Sequence, residues 1–436
     1  MNDPHRPLYH FSPDHWMNDP IPFFWDGTYH VFFQHNPNGA FWGTMHWAHA
    51  VSRDLVHWEQ LPIALAPTPS GPDAEGCWTG CVTRSAGRFR ILYTGISKLK
   101  PLRQTQCMAE SDDLVTWRKY PGNPVIDAPP AGFGECFRDP QVWREGDAWY
   151  MVVGSEQKDG KGGAALLYRA GSDDLTRWEY LHPLCLGDAA KTGHDLECPD
   201  FFPLGGGHVL LSSRKKTWWQ GGRYADHRFT ADKWGAVDGG QFYAGKTFVD
   251  GKGRRVLLGW VREGRAGEEQ KKAGWSGVLS LPRVLSLGDD GVLRMEPAEE
   301  IEALRKDYQW FGDLPLGDGQ GATLDVRGDA LEIIARFEGS AAKAFGVVVR
   351  ATAGGREGVE VAYDGEKVAG APFKLAENEG LDLRVFVDRS VVEVFANNRA
   401  CATLRTYPER ADALGVRLFA RGGAVEAHSV DVWTLG

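Results

Sequence analysis

A phrase ending in tryptophan recurs along the chain, at Ser52-Arg-Asp-Leu-Val-His-Trp58, Ser111-Asp-Asp-Leu-Val-Thr-Trp117 and Ser172-Asp-Asp-Leu-Thr-Arg-Trp178, with a degenerate copy at Thr230-Ala-Asp-Lys-Trp234. The tryptophans lie 59, 61 and 56 residues apart. Such a period implies one supersecondary unit per repeat, each unable to bury its apolar face without neighbours. It is longer than the period of most helical solenoids. Each repeat reads instead as short strand, Gly/Asp turn, short strand, as between Phe23 and Phe33 and between Gln141 and Val153. Hairpins repeated in this way read as propeller blades. At about 59 residues per blade, residues 1–295 hold five, the last running from Gln241 to Arg294.

The expected fold is therefore all-β, a five-bladed β-propeller followed by a C-terminal β-sandwich. A chain of 436 residues exceeds the usual single-domain range, so two domains are expected. Between them, Glu296-Pro-Ala-Glu-Glu-Ile-Glu-Ala-Leu-Arg-Lys carries helix formers after a proline, with Ile301 and Leu304 three apart, and predicts a linking helix within residues 296–308. Residues 309–436 alternate as strands do, for example Ala330 to Phe337 and Leu383 to Asp388, with Gly/Asp turns between them. The 17 Trp and 54 Gly suit turn-rich β-structure better than a helical bundle.

Three acidic motifs recur at one phase of the repeat: Asn18-Asp19-Pro20, Arg138-Asp139-Pro140 and Glu197-Cys198-Pro199. Counting back 39 residues from Trp58 and from Trp178 gives Asp19 and Asp139, 38 from Trp117 gives Thr79 beside Trp78, and 37 from Trp234 gives Glu197. Aligning the fifth repeat on Arg255 to Trp260 brings Tyr243 near the same phase. Equivalent positions of successive blades surround the central axis, so three carboxylates are expected to converge with hydroxyls and aromatic rings. Paired carboxylates about 5–5.5 Å apart suit retaining glycoside hydrolysis, and about 6.5–9.5 Å suit inversion; spacing along the chain leaves both open. Trp16, Phe24, Trp25, Trp42, Trp47 and Trp78 interleave with the acids. Flat C–H faces of sugars pack on such rings while their hydroxyls pair with Asn, Gln and Asp, so a carbohydrate substrate is expected.

Trp16-Met-Asn-Asp-Pro20, Phe137-Arg-Asp-Pro140 and Glu197-Cys-Pro-Asp200 resemble the signature motifs of glycoside hydrolase family 32, the invertases and fructan hydrolases. Further matches run from Trp42 to Val51, Asp54 to Trp58, Gly274 to Arg283 and Leu383 to Phe395, so the resemblance spans the chain. It implies retaining hydrolysis of a terminal β-fructofuranoside such as sucrose or a fructo-oligosaccharide, without cofactor or metal. Asp19 would be the nucleophile, supported by Asn18. Glu197 would be the acid/base, with apolar Leu196 and Cys198 beside it raising its pKa. Asp139, next to Arg138, would stabilise the transition state. Substrate contacts are expected from Trp16, Asn18, Gln34, Trp42, Trp78, Thr79, Arg138, Cys198, Tyr243 and Trp260. The chain departs from the family pattern at Ile21-Pro22, where Asn-Gly is usual, at Thr79 in place of serine, and at Leu196 in place of tryptophan. The neighbouring readings are a fructan exo-hydrolase, a fructosyltransferase sharing every catalytic residue, a propeller glycosidase acting on arabinose or xylose, and a non-catalytic sugar-binding module that kept the fold.

A net charge of −9 and the lack of a long Lys/Arg block argue against a nucleic-acid partner. Lys271-Lys272 and Arg214-Lys-Lys216 read as short solvated runs. No apolar run approaches the roughly 18–20 residues that cross a bilayer, and the start of the chain lacks a signal peptide's apolar stretch. Seven cysteines without framework spacing fit a reducing compartment, so the cytoplasm is expected. His46 and His49, three apart in a strand, face opposite ways and are not expected to share a metal.

Overall fold

The computed structural model describes residues 3–98, 103–338, 342–354 and 357–436. Five antiparallel sheets follow one another along the chain. Their first strands are His15–Trp25, Gly76–Ser85, Phe133–Glu145, Glu197–Leu204 and Phe242–Val249. Each pairs with the strand that follows it, and two further strands complete each sheet outward. The two-residue strand Trp275–Ser276, from the far end of this region, adds in parallel beside His15–Trp25. Each first strand packs against the next, and Phe242–Val249 packs back on His15–Trp25, so the contacts close a ring.

The second strands show why the sheets must close on one another. Each contains an uninterrupted apolar triplet, Val31-Phe32-Phe33, Ile91-Leu92-Tyr93, Met151-Val152-Val153, Val209-Leu210-Leu211 and Val256-Leu257-Leu258, and every one of these side chains is buried. Alternate residues of a strand point to opposite faces, so a triplet buried throughout needs cover on both. Phe32 shares a core with Ile91 and Tyr93; Leu92 with Met151 and Val153; Val152 with Leu210; Val209 and Leu211 with Leu257; Val256 and Leu258 with Val31 and Phe33. At about 1.5–3 kcal/mol per buried aliphatic or aromatic side chain, these shared cores are the main stabilisation of the ring.

The recurring tryptophan phrase is a capped turn between third and fourth strands. Asp54 Oδ1 accepts from Ser52 Oγ (3.0 Å) and from the amides of Val56 (3.1 Å) and His57 (2.8 Å), while Trp58 Nε1 donates to the Leu55 carbonyl (3.1 Å). Leu55, Leu114 and Leu175 take positive φ at their copies of the turn, and Trp117 and Trp178 make the same indole bond. The fourth copy is different. There the strands join by a tight turn at Asp226 and His227, both at positive φ as this turn type requires, and Trp234 lies within the strand Arg228–Ala236 rather than at its start.

The described residues between 305 and 435 form two six-stranded antiparallel sheets around one core that includes Ile333, Val347, Leu383, Val394 and Leu418. A 3₁₀ helix, Glu299–Leu304, precedes them with Ile301 and Leu304 buried; residues three apart eclipse in this helix, which accounts for the spacing. Phe386, Phe395 and Leu435 pack with Phe242, Leu281 and Leu285 across the junction of the two regions.

A buried ion network holds that junction. Arg283, 0% exposed, donates to Asp238 (3.0 Å), Glu393 (2.7 Å) and Thr403 (2.8 Å). His10 bridges Asp388 (2.9 Å) and Glu393 (3.3 Å), and Asp388 also accepts the amides of Leu8, Tyr9 and His10. Burial opposes the charge on His10, but the two carboxylates outweigh it and lift its pKa from 6.5 to about 9. The folded value lies above the unfolded one, so this contribution is complete below about pH 6.5 and is lost as pH rises through about 9, on the order of 3 kcal/mol in all. The difference in melting temperature between wild type and His10→Gln is expected to be large at pH 6 and to shrink by pH 10. A pH-independent difference would assign His10 a packing role alone.

Candidate active site

All five first strands break register at the same height. In the first sheet Asn18 pairs with Gln34 and Pro20 with Phe33, leaving Asp19 over; in the second, Trp78 pairs with Thr94 and Gly80 with Tyr93, leaving Thr79 over. The third, fourth and fifth break between Arg138 and Gln141, Glu197 and Asp200, and Tyr243 and Lys246. Asp19, Asp139, Cys198 and Ala244 adopt positive φ at these bulges (42°, 63°, 49° and 51°). Aspartate tolerates that conformation; cysteine and alanine adopt it rarely. A bulge re-aims side chains that a regular strand would send to opposite faces. Asn18 and Asp19, like Arg138 and Asp139, thus line the same space.

The register corrects the phase expected from the tryptophans. Cys198, not Glu197, is level with Asp19, Thr79 and Asp139, while Glu197 is level with Asn18, Trp78, Arg138 and Tyr243. The displaced Trp234 is the cause. Glu197 still reaches the common space because the bulge begins at it.

That space is a cavity of about 280 Å³ lined by Asn18, Asp19, Gln34, Trp42, Trp78, Gln104, Arg138, Asp139, Glu197, Tyr243 and Trp260. Of the side chains expected to touch substrate, Trp16, Thr79 and Cys198 stand one layer behind. Trp16 Nε1 donates to Asn18 Oδ1 (2.6 Å), and its ring meets Trp42 and Trp260 at 6.0 and 5.9 Å. Asp19 Oδ2 accepts from Thr79 Oγ1 (2.7 Å), Gln34 Nε2 (3.0 Å) and Cys198 Sγ (3.6 Å). The Cys198 amide donates to Asp139 Oδ2 (2.8 Å), and the Asp139 amide to Thr94 Oγ1 (2.8 Å). Two glycines permit the close approach. A Cβ on Gly277 (φ 86°) would lie 2.0 Å from the Met17 carbonyl and 2.8 Å from Trp260 Nε1, and one on Gly154 would lie 2.2 Å from the Leu196 carbonyl.

The surroundings of Glu197 differ from expectation. Leu196 packs into the core between the third and fourth sheets, and Cys198 turns to Asp19. Glu197 itself accepts from Arg138 Nη2 (2.7 Å) and from the Tyr243 hydroxyl, with Arg214 Nη1 at 3.9 Å. Arg214, with 43% of its side chain exposed, is partly solvated as expected but is also tied to the site. It pairs with buried Asp195 at 2.6 Å, as Arg138 also does at 2.6 Å. Sequence reasoning missed Asp195 as an anchor and Gln104 as a lining residue. The signal for Asp195 was an acid two residues before Glu197 in a chain with Arg138 already in play; Gln104, on an outer strand, offered none.

Burial is the largest influence on both aspartates. It lifts Asp19 above the ordinary carboxylate range, with the charge of Glu197 adding and the donors Thr79, Asn18 and Cys198 opposing. It lifts Asp139 to about 6, where the charges of Asp19 and Glu197 add and Arg138 opposes. Burial works against the charge on Arg138, but Glu197 and Asp139 outweigh it and hold the guanidinium protonated. Burial, then Glu197, pushes the Tyr243 phenol far up, so Tyr243 donates and stays neutral. Gln34 Oε1 and Trp260 Nε1 are buried without a protein partner among the described residues, and both belong to cavity-lining side chains.

His49 and His46 do part, as strand geometry requires. His49 stacks on Phe32 at 4.0 Å and meets His30 at 3.0 Å, while the His46 ring meets the Thr44 carbonyl at 3.1 Å. No helix among the described residues is long and apolar enough to cross a membrane.

Residues 10–297 match the N-terminal domain of glycosyl hydrolases family 32, and residues 300–434 match its C-terminal domain. The chain is 34% identical to a sucrose-6-phosphate hydrolase of Zymomonas mobilis, over 98% of this chain and 92% of that protein. It is 32% identical to a raffinose invertase of Escherichia coli, over 98% and 95%. A variant of fructan 1-exohydrolase IIa from Cichorium intybus, crystallised with 1-kestose, superposes with a TM-score of 0.91 at 28% identity, covering 100% of this chain and 98% of that one.

Proposed function

The chain belongs to family 32 of the glycosyl hydrolases, and we propose that it releases fructose from terminal non-reducing β-fructofuranosides, such as sucrose and fructo-oligosaccharides, with retention of configuration. It is a glycoside hydrolase of the β-fructofuranosidase type. The observation that carries the detailed reading is the meeting of Asp19, Asp139 and Glu197 in one cavity at the bulges of three first strands.

Asp19 attacks the anomeric carbon C2 of fructose and forms a fructosyl-enzyme. Its donors converge on Oδ2, and the other oxygen takes none of the three. Glu197 protonates the departing oxygen and then takes the proton of the incoming water, held in place meanwhile by Arg138 and Tyr243. Asp139 faces the ring as positive charge develops on it. Gln34 Oε1 and Trp260 Nε1, left without protein partners, suit fructose hydroxyls. A cavity of about 280 Å³ holds one sugar ring and little more, which favours removal of a terminal unit over cleavage within a chain.

The five sheets are read as the blades of a five-bladed propeller ending at Pro297, with the 3₁₀ helix Glu299–Leu304 as the linker and a sandwich from Arg305 onward, in place of the boundaries at 295 and 308 expected from the sequence. The closed ring of strand contacts and the two family matches support this. Seven free thiols suit a reducing compartment, and the cytoplasm is the proposed location.

The test is fructose release from sucrose, glucose-phosphorylated sucrose, inulin and levan, with the anomer of the first-formed fructose read by NMR. The expected result is release of β-fructofuranose from at least one of them. Release of the α anomer would overturn retention, and no release from any of the four would overturn the assignment.

A further inference from the structure

Asp195 precedes Glu197 by two residues, so in extended backbone the two carboxylates point the same way while Leu196 points into the core between the third and fourth sheets. The third sheet fixes this stretch. The Leu196 amide donates to the Ser155 carbonyl (3.1 Å), and the Asp195 backbone bridges to Glu156. Two guanidiniums meet the pair of acids. Arg138 Nη2 donates to both, at 2.6 Å to Asp195 Oδ2 and 2.7 Å to Glu197 Oε1. Arg214 Nε pairs with Asp195 Oδ1 at 2.6 Å, and its Nη1 lies 3.9 Å from Glu197 Oε1. Asp195 is 5% exposed and stands behind the catalytic cavity rather than lining it, with the Cys136 thiol at 3.7 Å as its further neighbour.

Those arginines bear directly on proton transfer. Glu197 has to hold a proton until the C2–O bond breaks and the proton passes to the departing oxygen, yet a guanidinium against a carboxylate favours the form without one. Arginine only donates, so neither Arg138 nor Arg214 can share that proton at Oε1. On Oε2 stands the Tyr243 hydroxyl, beside it in the chain Cys198, and across the cavity Asp19 and Asp139. Asp19 and Asp139 are committed to fructose. Asp195 reaches no substrate, and its charge lies against both guanidiniums on the side away from the cavity. Without it, Arg214 would have Glu197, at 3.9 Å, as its ion-pair partner among the described residues, and Arg138 would lack the carboxylate that now shares its Nη2.

Resting on the assignment of Glu197 as the acid, we infer that Asp195 is a positioning residue for proton delivery, a buried counter-charge that engages Arg138 and Arg214 and so leaves Glu197 able to hold the proton it gives to the leaving oxygen. The experiment compares kcat/KM for sucrose with that for β-fructosyl fluoride, whose departure needs no proton, in wild type, Asp195→Asn, Asp195→Asn/Arg214→Gln and Glu197→Gln. Asp195→Asn is expected to lose about thirtyfold on sucrose and less than about threefold on the fluoride. Its fluoride release should show no burst, because Glu197 keeps the carboxylate that serves as base. Removing one guanidinium together with the carboxylate restores the balance of charge, so the double variant should recover most of the loss on sucrose. A role confined to holding Arg138 in place predicts no such recovery. Equal losses on the two substrates by Asp195→Asn, or a double variant no better than the single one, would overturn the inference. If melting curves show that Asp195→Asn does not fold, the double variant carries the comparison: a sucrose-to-fluoride ratio within about threefold of wild type is expected there, and one lowered about thirtyfold would overturn the inference. Glu197→Gln tells the two readings apart. Equal losses on sucrose and fluoride in that variant would remove Glu197 as the acid and the inference with it, whereas a selective loss there with none in Asp195→Asn would overturn the inference alone.

Discussion

Asp19→Asn is expected to lower fructose release from every substrate by at least about 10⁴-fold while leaving the fold intact. Asparagine has the size of aspartate and can still accept from Thr79 and Gln34 at the positions now 2.7 and 3.0 Å from Oδ2. It lacks the charge that attacks C2. The loss is expected in kcat, because the groups that line the cavity around fructose are unchanged. Stability should move the other way. Burial holds the Asp19 pKa above its ordinary value, so the ionised carboxylate weighs against the folded state. A folded value above the unfolded one means that the penalty is absent below the unfolded pKa and complete above the folded one. At neutral pH the variant should therefore melt at the same temperature as wild type or higher. Wild-type turnover by Asp19→Asn would falsify the nucleophile assignment, and a fall in melting temperature would assign the lost activity to misfolding instead.

The same burial explains which parts of this site were legible in the amino-acid sequence. Acids one or two residues before a proline near one phase of a repeat mark a place where strand pairing breaks and carboxylates gather, and Asp19, Asp139 and Glu197 line one cavity. The phase itself was off by one residue in the fourth repeat. The count from Trp234 assumed a capped turn like that at Asp54, and a tight turn at Asp226 and His227 stands there instead. Composition gives no warning of such an exchange, since Thr230-Ala-Asp-Lys-Trp234 still resembles the phrase. Bulges were equally hidden. They move Thr79 and Cys198 behind Asp19 as hydrogen-bond donors, where the family resemblance had placed them against substrate.

Charge partners were the least legible. Arg214, beside two lysines, has the local sequence of a solvated run, yet it lies between Asp195 and Glu197. Only the return of the second strand of the fourth sheet to the level of Glu197 brings it there, a contact set by Glu197 pairing with Ser213. The buried junction shows the same limit. His10, Arg283 and the pair Asp388 and Glu393 come from three distant stretches of the chain, and no local pattern announces that they neutralise one another.

Glu197→Gln is expected to separate the two halves of the reaction. Glucose departs from sucrose as a poor leaving group whose oxygen must be protonated, so turnover of sucrose should fall by about 10²–10⁴-fold when the acid is lost. β-Fructosyl fluoride needs no proton to depart, and Asp19 should still form the fructosyl-enzyme from it at a rate close to that of wild type. Hydrolysis of that intermediate then lacks its base, since neither Arg138 nor the high-pKa Tyr243 can take a proton from water. One equivalent of fluoride should appear in a burst, followed by slow turnover. Azide, a nucleophile that needs no deprotonation, should restore turnover and yield the β-fructosyl azide, because two displacements at C2 return the original configuration. Arg138 would keep Asp195 as its partner at 2.6 Å, so the cavity wall should survive the substitution. Equal losses on sucrose and the fluoride, without a burst, would remove Glu197 from proton transfer and leave it a positioning residue for Arg138 and Tyr243.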